Sequence, residues 1–313
     1  MHILVTGGAG FIGSNITKYL LDLGHKVRVL DNLITGNKQN IKEFESNKNF
    51  EFMYGDINNL ENLRKALENI DAVTHQAALG SVPRSVEDPL ASHNANVNGF
   101  LNLLIVCKEK GIKRIVYASS SSVYGDNNIL PKIEDSIGKP LSPYAITKYI
   151  DELYGKIFAE LYGIETIGLR YFNVFGPKQD PNGAYAAVIP KFITSIKNNT
   201  SPKINGDGSF SRDFTFVENI VQANYLALTT NNINAFGEIF NIGAGGRITI
   251  LEMYNIIKKS LKSDLEPEFG PNRVGDIPNS SADISKAKEL LGYNPTIDFA
   301  NGIIRTIDYY SNL

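Results

Sequence analysis

The first 175 or so residues alternate short apolar runs with stretches of helical period. HILVT (2–6), KVRVLD (26–31), FEFMYGD (50–56), DAVTHQAA (71–78), RIVYAS (114–119) and ETIGLRYF (165–172) read as strands. Most are nearly continuous in apolar residues, as expected of parallel strands covered on both faces. Between them GSNITKYLLDLG, NLENLRKALENI, SHNANVNGFLNLLIVCKEKG and SPYAITKYIDELYGKIFAELYG place apolar residues at helical spacing. This alternation predicts an α/β fold built on a doubly wound parallel sheet. In SPYAITKY, Ser142 suits an N-cap and Pro143 the first helical turn.

Beyond residue 176 the regularity fades. GPKQDPNGAY and SPKINGDGSFSRDF read as loops, AAVIPKFITSIKNN as a helix and EIFNIGAGG as one more strand. The irregular EPEFGPNRVGDIPNSSAD precedes two final helices. The pattern predicts a smaller C-terminal lobe rich in loops, where binding residues tend to sit.

Composition narrows the function class. A formal net charge of −2 gives no basic field for nucleic acid. No apolar run approaches the roughly 18 residues of a membrane span. The apolar N-terminus lacks a basic n-region and turns straight into glycines, so it reads as a strand and not a signal peptide. Cys107 is the single cysteine, which rules out an internal disulfide and fits a cytoplasmic protein. His2, His25, His75 and His93 are scattered, so no metal site is expected.

VTGGAGFIG joins the first strand to the first helix, with glycines as Gly7-x-x-Gly10-x-x-Gly13. Glycines there let backbone approach a pyrophosphate while the helix N-terminus supplies N–H groups and dipole. Asp31 ends the second strand, where an acid holds adenosine ribose hydroxyls. No arginine directly follows it to receive a 2′-phosphate, so NAD is expected over NADP. Asp56 either faces the adenine or closes a turn.

Tyr144 and Lys148 stand four apart and share one helix face. With a nicotinamide cofactor nearby, removing hydride from a carbinol requires a base for the hydroxyl proton. A neighbouring ammonium lowers a phenol's pKa and suits Tyr144 to that task. Four serines (119–122) end the fifth strand at the carboxyl edge of the sheet, where open α/β folds bind ligands.

Together the glycines, the serine run and Tyr144-x-x-x-Lys148 resemble the extended short-chain dehydrogenase/reductase superfamily over essentially the whole chain. SSSSVYGD, SPYAITK, RYFNVFGP and SRDFTFVEN are similar to motifs of its nucleotide-sugar epimerases, in the same order. The resemblance implies a Rossmann NAD domain of residues 1–176 plus about 214–262. Residues 177–213 and 263–313 would form the nucleotide-sugar lobe. It implies Tyr144 as base, Lys148 on the nicotinamide ribose, and Ser120 as hydroxyl partner. It adds Phe11, Ile12, Asn32, Ile57, Gln76, Ala77, Ala78, Asn96, Ser119 and Tyr171 to the cofactor site. Asn173, Arg212 and Arg273 would hold the nucleotide diphosphate, and Ala187 and Val188 would lie near the uracil or diphosphate. Ser81, Arg84, Ser121 and Ser122 would lie near the sugar. A homodimer through a four-helix bundle is implied as well.

The implied reaction is 4-epimerisation of UDP-sugars. Related dehydratases carry Thr-Asp-Glu where this chain has Ser120-Ser121-Ser122, which leaves no evident acid/base pair for eliminating water. A uronate epimerase would need a carboxylate contact, for which Arg84 is the candidate. The resemblance is closest to epimerases that prefer UDP-N-acetylhexosamines. Their gatekeeper position falls at Ser280, or at Ser281 if the loop alignment slips, and a small residue there leaves room for an acetamido group.

Overall fold

The computed structural model describes residues 1–181, 187–271 and 278–311. The chain runs β1 (His2–Thr6), α1 (Phe11–Asp22), β2 (Lys26–Asp31), β3 (Phe50–Tyr54), α2 (Leu60–Ala66), β4 (Ala72–His75), α3 (Val82–Glu87) and α4 (Pro89–His93). A π-helical segment (Asn94–Asn98) leads into α5 (Gly99–Lys110). Then come β5 (Arg114–Ser120), α6 (Pro143–Tyr162), β6 (Glu165–Tyr171), β7 (Val174–Phe175), α7 (Val188–Lys197), β8 (Lys203–Asn205), β9 (Ser211–Arg212) and β10 (Thr215–Phe216). The chain continues through α8 (Val217–Thr229), β11 (Ile239–Ile242), β12 (Ile248–Thr249), α9 (Ile250–Ser260), β13 (Glu268–Gly270), α10 (Ser285–Leu291) and α11 (Phe299–Ser311).

The seven-stranded sheet has the order β11-β6-β5-β4-β1-β2-β3, with every pair parallel. Chain order reverses between β1 and β4, so the loops after these two strands diverge and open a crevice at their carboxyl ends. The central strands are buried because helices cover both faces, and all four residues of β4 are buried, whereas the edge strand β3 has no buried residue. One core cluster packs Ile16, Leu20, Ile220 and Ala227 of α1 and α8 against the sheet, and the other uses Leu63, Phe100, Leu103 and Phe158 of α2, α5 and α6. A third gathers Ile193 of α7, Met253 and Ile257 of α9 and Ile303 of α11, away from the sheet.

Expected elements and observed ones differ in several places, among them the short strands β8 and β9 inside the stretch read as a loop and the helix α4. α8 and α9 were not anticipated; α8 is apolar around most of its circumference, and a helix buried on several sides has no polar stripe to betray its period. The stretch from Ser92 is not one regular helix, because the π-helical turn intervenes. The GSVPRS loop holds a short helix, α3, started by Pro83 and capped by Ser81.

Candidate active site

A cavity of about 750 Å³ opens at the strand-order reversal. Gly7, Gly10, Phe11, Ile12 and Gly13 form its floor, and Asp31, Asn32, Asp56 and Ile57 one end. Gln76, Ala77, Ala78, Ser119, Tyr144, Lys148 and Tyr171 line it too, with Ser81, Arg84 and Ala187 at the far end. Sequence-predicted residues from both sites thus meet in one space.

The glycine turn explains itself by contact. Gly7 has φ +67°, and a Cβ there would lie 2.6 Å from the Ala77 nitrogen. A Cβ on Gly13 would lie 2.2 Å from the Gly7 carbonyl oxygen. Backbone is thereby exposed at the start of α1, a shape that accepts a diphosphate. Buried Asp31 accepts hydrogen bonds from Ala9 N (2.9 Å) and Leu33 N (2.8 Å). Burial raises its pKa from the ordinary carboxylate value, and those two donors oppose the rise. Each oxygen keeps capacity for a further donor such as a ribose hydroxyl. Asp56 closes a turn by accepting from Asn58 N (2.7 Å) and holds Asn32, whose amide donates to it at 2.8 Å. These residues fit a dinucleotide.

α6 carries the tyrosine–lysine pair. Ser142 caps it by accepting from Ala145 N (3.1 Å), and Pro143 begins the first turn. Ser85 of α3 accepts from Tyr144 N (3.0 Å), which ties the turn bearing the tyrosine to the cavity wall. Lys148 is 2% exposed and donates to Ala118 O at 2.9 Å and to Asp151 Oδ2 at 3.2 Å. Of the two tyrosines that line the cavity among the described residues, Tyr171 keeps its proton: burial pushes its pKa well up. Its hydroxyl donates to Gln76 Oε1 (3.1 Å) and accepts from Asn224 (2.8 Å). His75 is held neutral, its pKa pushed down to about 3 by burial and then by the Lys148 charge.

Several expected contacts take another form. Asn96 is fully buried and accepts from Leu79 N (2.8 Å) while donating to Thr147 (3.0 Å), so its side chain braces the wall. The Ser81 hydroxyl accepts from Arg84 N (3.2 Å) as the α3 cap. Ser119 donates to Glu152 at 2.5 Å. Ser120 ends β5 and Ser121 and Ser122 follow it; the Ser120 hydroxyl accepts from Ser122 N (3.1 Å), and Ser122 Oγ is buried without a hydrogen-bond partner among the described residues.

On the distal side, Asn173 has φ +30° and its carbonyl accepts from Thr215 N (3.2 Å). Arg212 donates to Ser211 O (2.9 Å) and Pro278 O (3.2 Å). Ser280 N donates to Ser211 O (3.1 Å), which sets Ser280 beside the Arg212 strand, while Ser281 lines a second, outer pocket. Val188 begins α7. Arg273 lies outside the described residues.

Sequence reasoning missed the residues that hold this arrangement. Buried Arg170 of β6 donates to both oxygens of Glu152 at 2.8 Å and to Tyr124 Oη at 3.0 Å. Asp213 accepts from Ala244 N (2.8 Å), Gly245 N (3.1 Å) and Ala282 N (3.2 Å), and burial pushes its pKa up to about 6. A charged residue within an apolar strand, as in ETIGLRYF, was the one available signal for the first.

Residues 3–243 match the profile of the NAD dependent epimerase/dehydratase family. A putative UDP-glucose 4-epimerase of Methanocaldococcus jannaschii is 42% identical over 312 residues, covering 99% of this chain and 98% of its own. The UDP-N-acetylglucosamine 4-epimerase of Methanobrevibacter ruminantium M1, solved with UDP-N-acetylmuramic acid, superposes with TM-score 0.94 at 41% identity, covering 99% and 98% of the two chains. UDP-glucose 4-epimerase of Thermotoga maritima, solved with UDP-glucose, gives TM-score 0.93 at 37% identity and covers 100% and 99%. With the glycine turn, buried Asp31 and the tyrosine–lysine pair lining one cavity, and with residues 3–243 matching the family's profile, this chain belongs to the NAD-dependent epimerase/dehydratase family.

Proposed function

We propose that the protein is a UDP-sugar 4-epimerase that interconverts UDP-GlcNAc and UDP-GalNAc, and also UDP-glucose and UDP-galactose. One observation carries this reading: Tyr144 and Lys148 line the same cavity as the glycine cradle and Asp31. NAD, when bound, supplies the acceptor that takes hydride from the sugar C4 and gives it back. The protein's part is the proton and the geometry. Tyr144 accepts the C4 hydroxyl proton as hydride leaves and returns it when hydride comes back to the opposite face of the 4-ketose. Lys148 favours the phenolate by its charge, and its remaining N–H is free to bind a ribose hydroxyl. Ser120 orients the alcohol.

Asn173, Arg212 and Arg273 bind the diphosphate, with Ala187 and Val188 near the uracil; the fork of an arginine suits phosphate oxygens. Ser280, small and tied through its backbone to Ser211, leaves room for an acetamido group. UDP-glucuronate is the second reading, favoured by the position of Arg84 on the cavity wall.

A homodimer completes the proposal. Ile146, Leu153, Ile157 and Leu161 are exposed along one stripe of α6, and Ile105 is exposed on neighbouring α5. Spacings of three to four residues between apolar positions fit helix-on-helix packing against a second copy.

The test is product analysis with UDP-GlcNAc, UDP-glucose and UDP-glucuronate separately, with NAD+ present. UDP-GalNAc formation supports the full reading. Turnover of UDP-glucose alone keeps the chemistry and overturns the pocket assignment, and turnover of UDP-glucuronate alone promotes the second reading.

A further inference from the structure

Asp151 lies one turn beyond Lys148 on α6, and its side chain is 1% exposed. Its Oδ2 accepts from the Lys148 ammonium at 3.2 Å, and its Oδ1 is buried with no hydrogen-bond partner among the described residues. The ammonium's other contact is a carbonyl, Ala118 O at 2.9 Å. The buried cation beside the base therefore has one buried counter-charge that no other cation claims. The adjacent carboxylate, Glu152, is already neutralised by two hydrogen bonds from Arg170. Half-satisfied buried carboxylates are costly, so one that serves only packing would be replaceable by an apolar residue.

We propose that Asp151 is a positioning residue that sets the net charge at the base: as a carboxylate it holds Lys148 against β5 and offsets part of the field that stabilises the Tyr144 phenolate. This rests on the reading of Tyr144 as base. Arg84 of α3 lines the same cavity as Tyr144 and is a second cation able to act on it, whereas the groups packed around Lys148 and Asp151 add no net charge. His75 of β4 is neutral, Tyr117 of β5 keeps its proton through burial, and Arg170 of β6 and Glu152 of α6 cancel each other. Phe100, which packs on Tyr117 from α5, does not ionise. Burial pushes the Asp151 pKa up to about 7 against the pull of Lys148.

Tyrosinate absorbance near ~295 nm reads the phenolate without turnover. The difference titration of NAD-loaded wild type minus Tyr144→Phe gives the Tyr144 midpoint, and the same titration of Asp151→Asn minus Asp151→Asn/Tyr144→Phe gives the variant's. The midpoint is expected to fall in Asp151→Asn by about one pH unit, the scale on which a single nearby charge acts. Asp151→Ser serves where the asparagine variant does not fold, with the same expectation. An unchanged or raised midpoint in a folded variant overturns the proposal. If Tyr144→Phe itself keeps full turnover, the reading of the base fails instead, so the two failures are distinct.

Discussion

Gly7, Gly10 and Gly13 line the cavity from a single strand–helix turn, whereas Asn173, Arg212 and Ser280, expected at the substrate end, sit on segments separated by dozens of residues and are not among the described residues that line it. The cofactor end is rigid because its geometry is steric: a Cβ on Gly13 would meet the Gly7 carbonyl oxygen, and neither is a flexible side-chain tip. The distal end is held by polar ties instead. Asp213 gathers Ala244, Gly245 and Ala282, and the Ser280 amide hooks onto Ser211. Sterics built into one turn fix a surface for an invariant ligand. Loops tied by a few hydrogen bonds carry no such steric constraint.

Between the two ends stands α6, and the largest expected effect lies there. Tyr144→Phe should lower kcat by about 10²–10⁴-fold while the NAD content of the purified protein is unchanged, measured by turnover and by cofactor release. Loss of NAD would instead make Tyr144 part of the cofactor end.

Gly13→Ala probes the steric end. It should destabilise the protein by about 1–3 kcal/mol and empty it of NAD, read by denaturant unfolding and cofactor analysis. Full NAD retention would break the contrast. Ser280→Tyr probes the distal end. It should lower kcat/KM for UDP-GlcNAc by roughly 10-fold or more relative to UDP-glucose, the scale of a steric change in a sugar pocket. An equal loss on both sugars would remove Ser280 from the acetamido site.

The smallest effect concerns Asp213. Its folded pKa is raised to about 6 from the ordinary 3.8. The folded state thus binds the proton more tightly than the unfolded chain. This contribution to stability is present below the unfolded value and is lost as pH rises through about 6. Asp213→Asn should flatten that slope, seen as melting temperatures that converge on the wild type's or overtake it as pH is raised over this window. Parallel curves for the two proteins would show that Asp213 is not titrating there.

Much of the cofactor end was legible in the sequence because each signal is local. The strands are apolar runs covered on both faces, the glycines sit at one strand–helix turn, and Asp31 ends the next strand. Ser142 as N-cap was readable for the same reason. The rest depends on contacts across long stretches of chain. Asn96 reaching Leu79 and Thr147, Arg170 clamping Glu152, and Asp213 tying loops on either side of it leave no periodicity to read. The role of Ser81 as the cap of α3 was not legible, because six helical residues are too few to show a period. The serine run named the right strand end, yet Ser119 is drawn to Glu152 by a partner 33 residues away.

The most direct test of the central claim is turnover of UDP-glucose carrying deuterium at C4, with NAD+ present and the product examined by NMR. Hydride that leaves C4 and returns to its other face predicts UDP-galactose with deuterium retained at C4. Galactose product with C4 deuterium lost to solvent, or a 4-keto-6-deoxy sugar in its place, would contradict it.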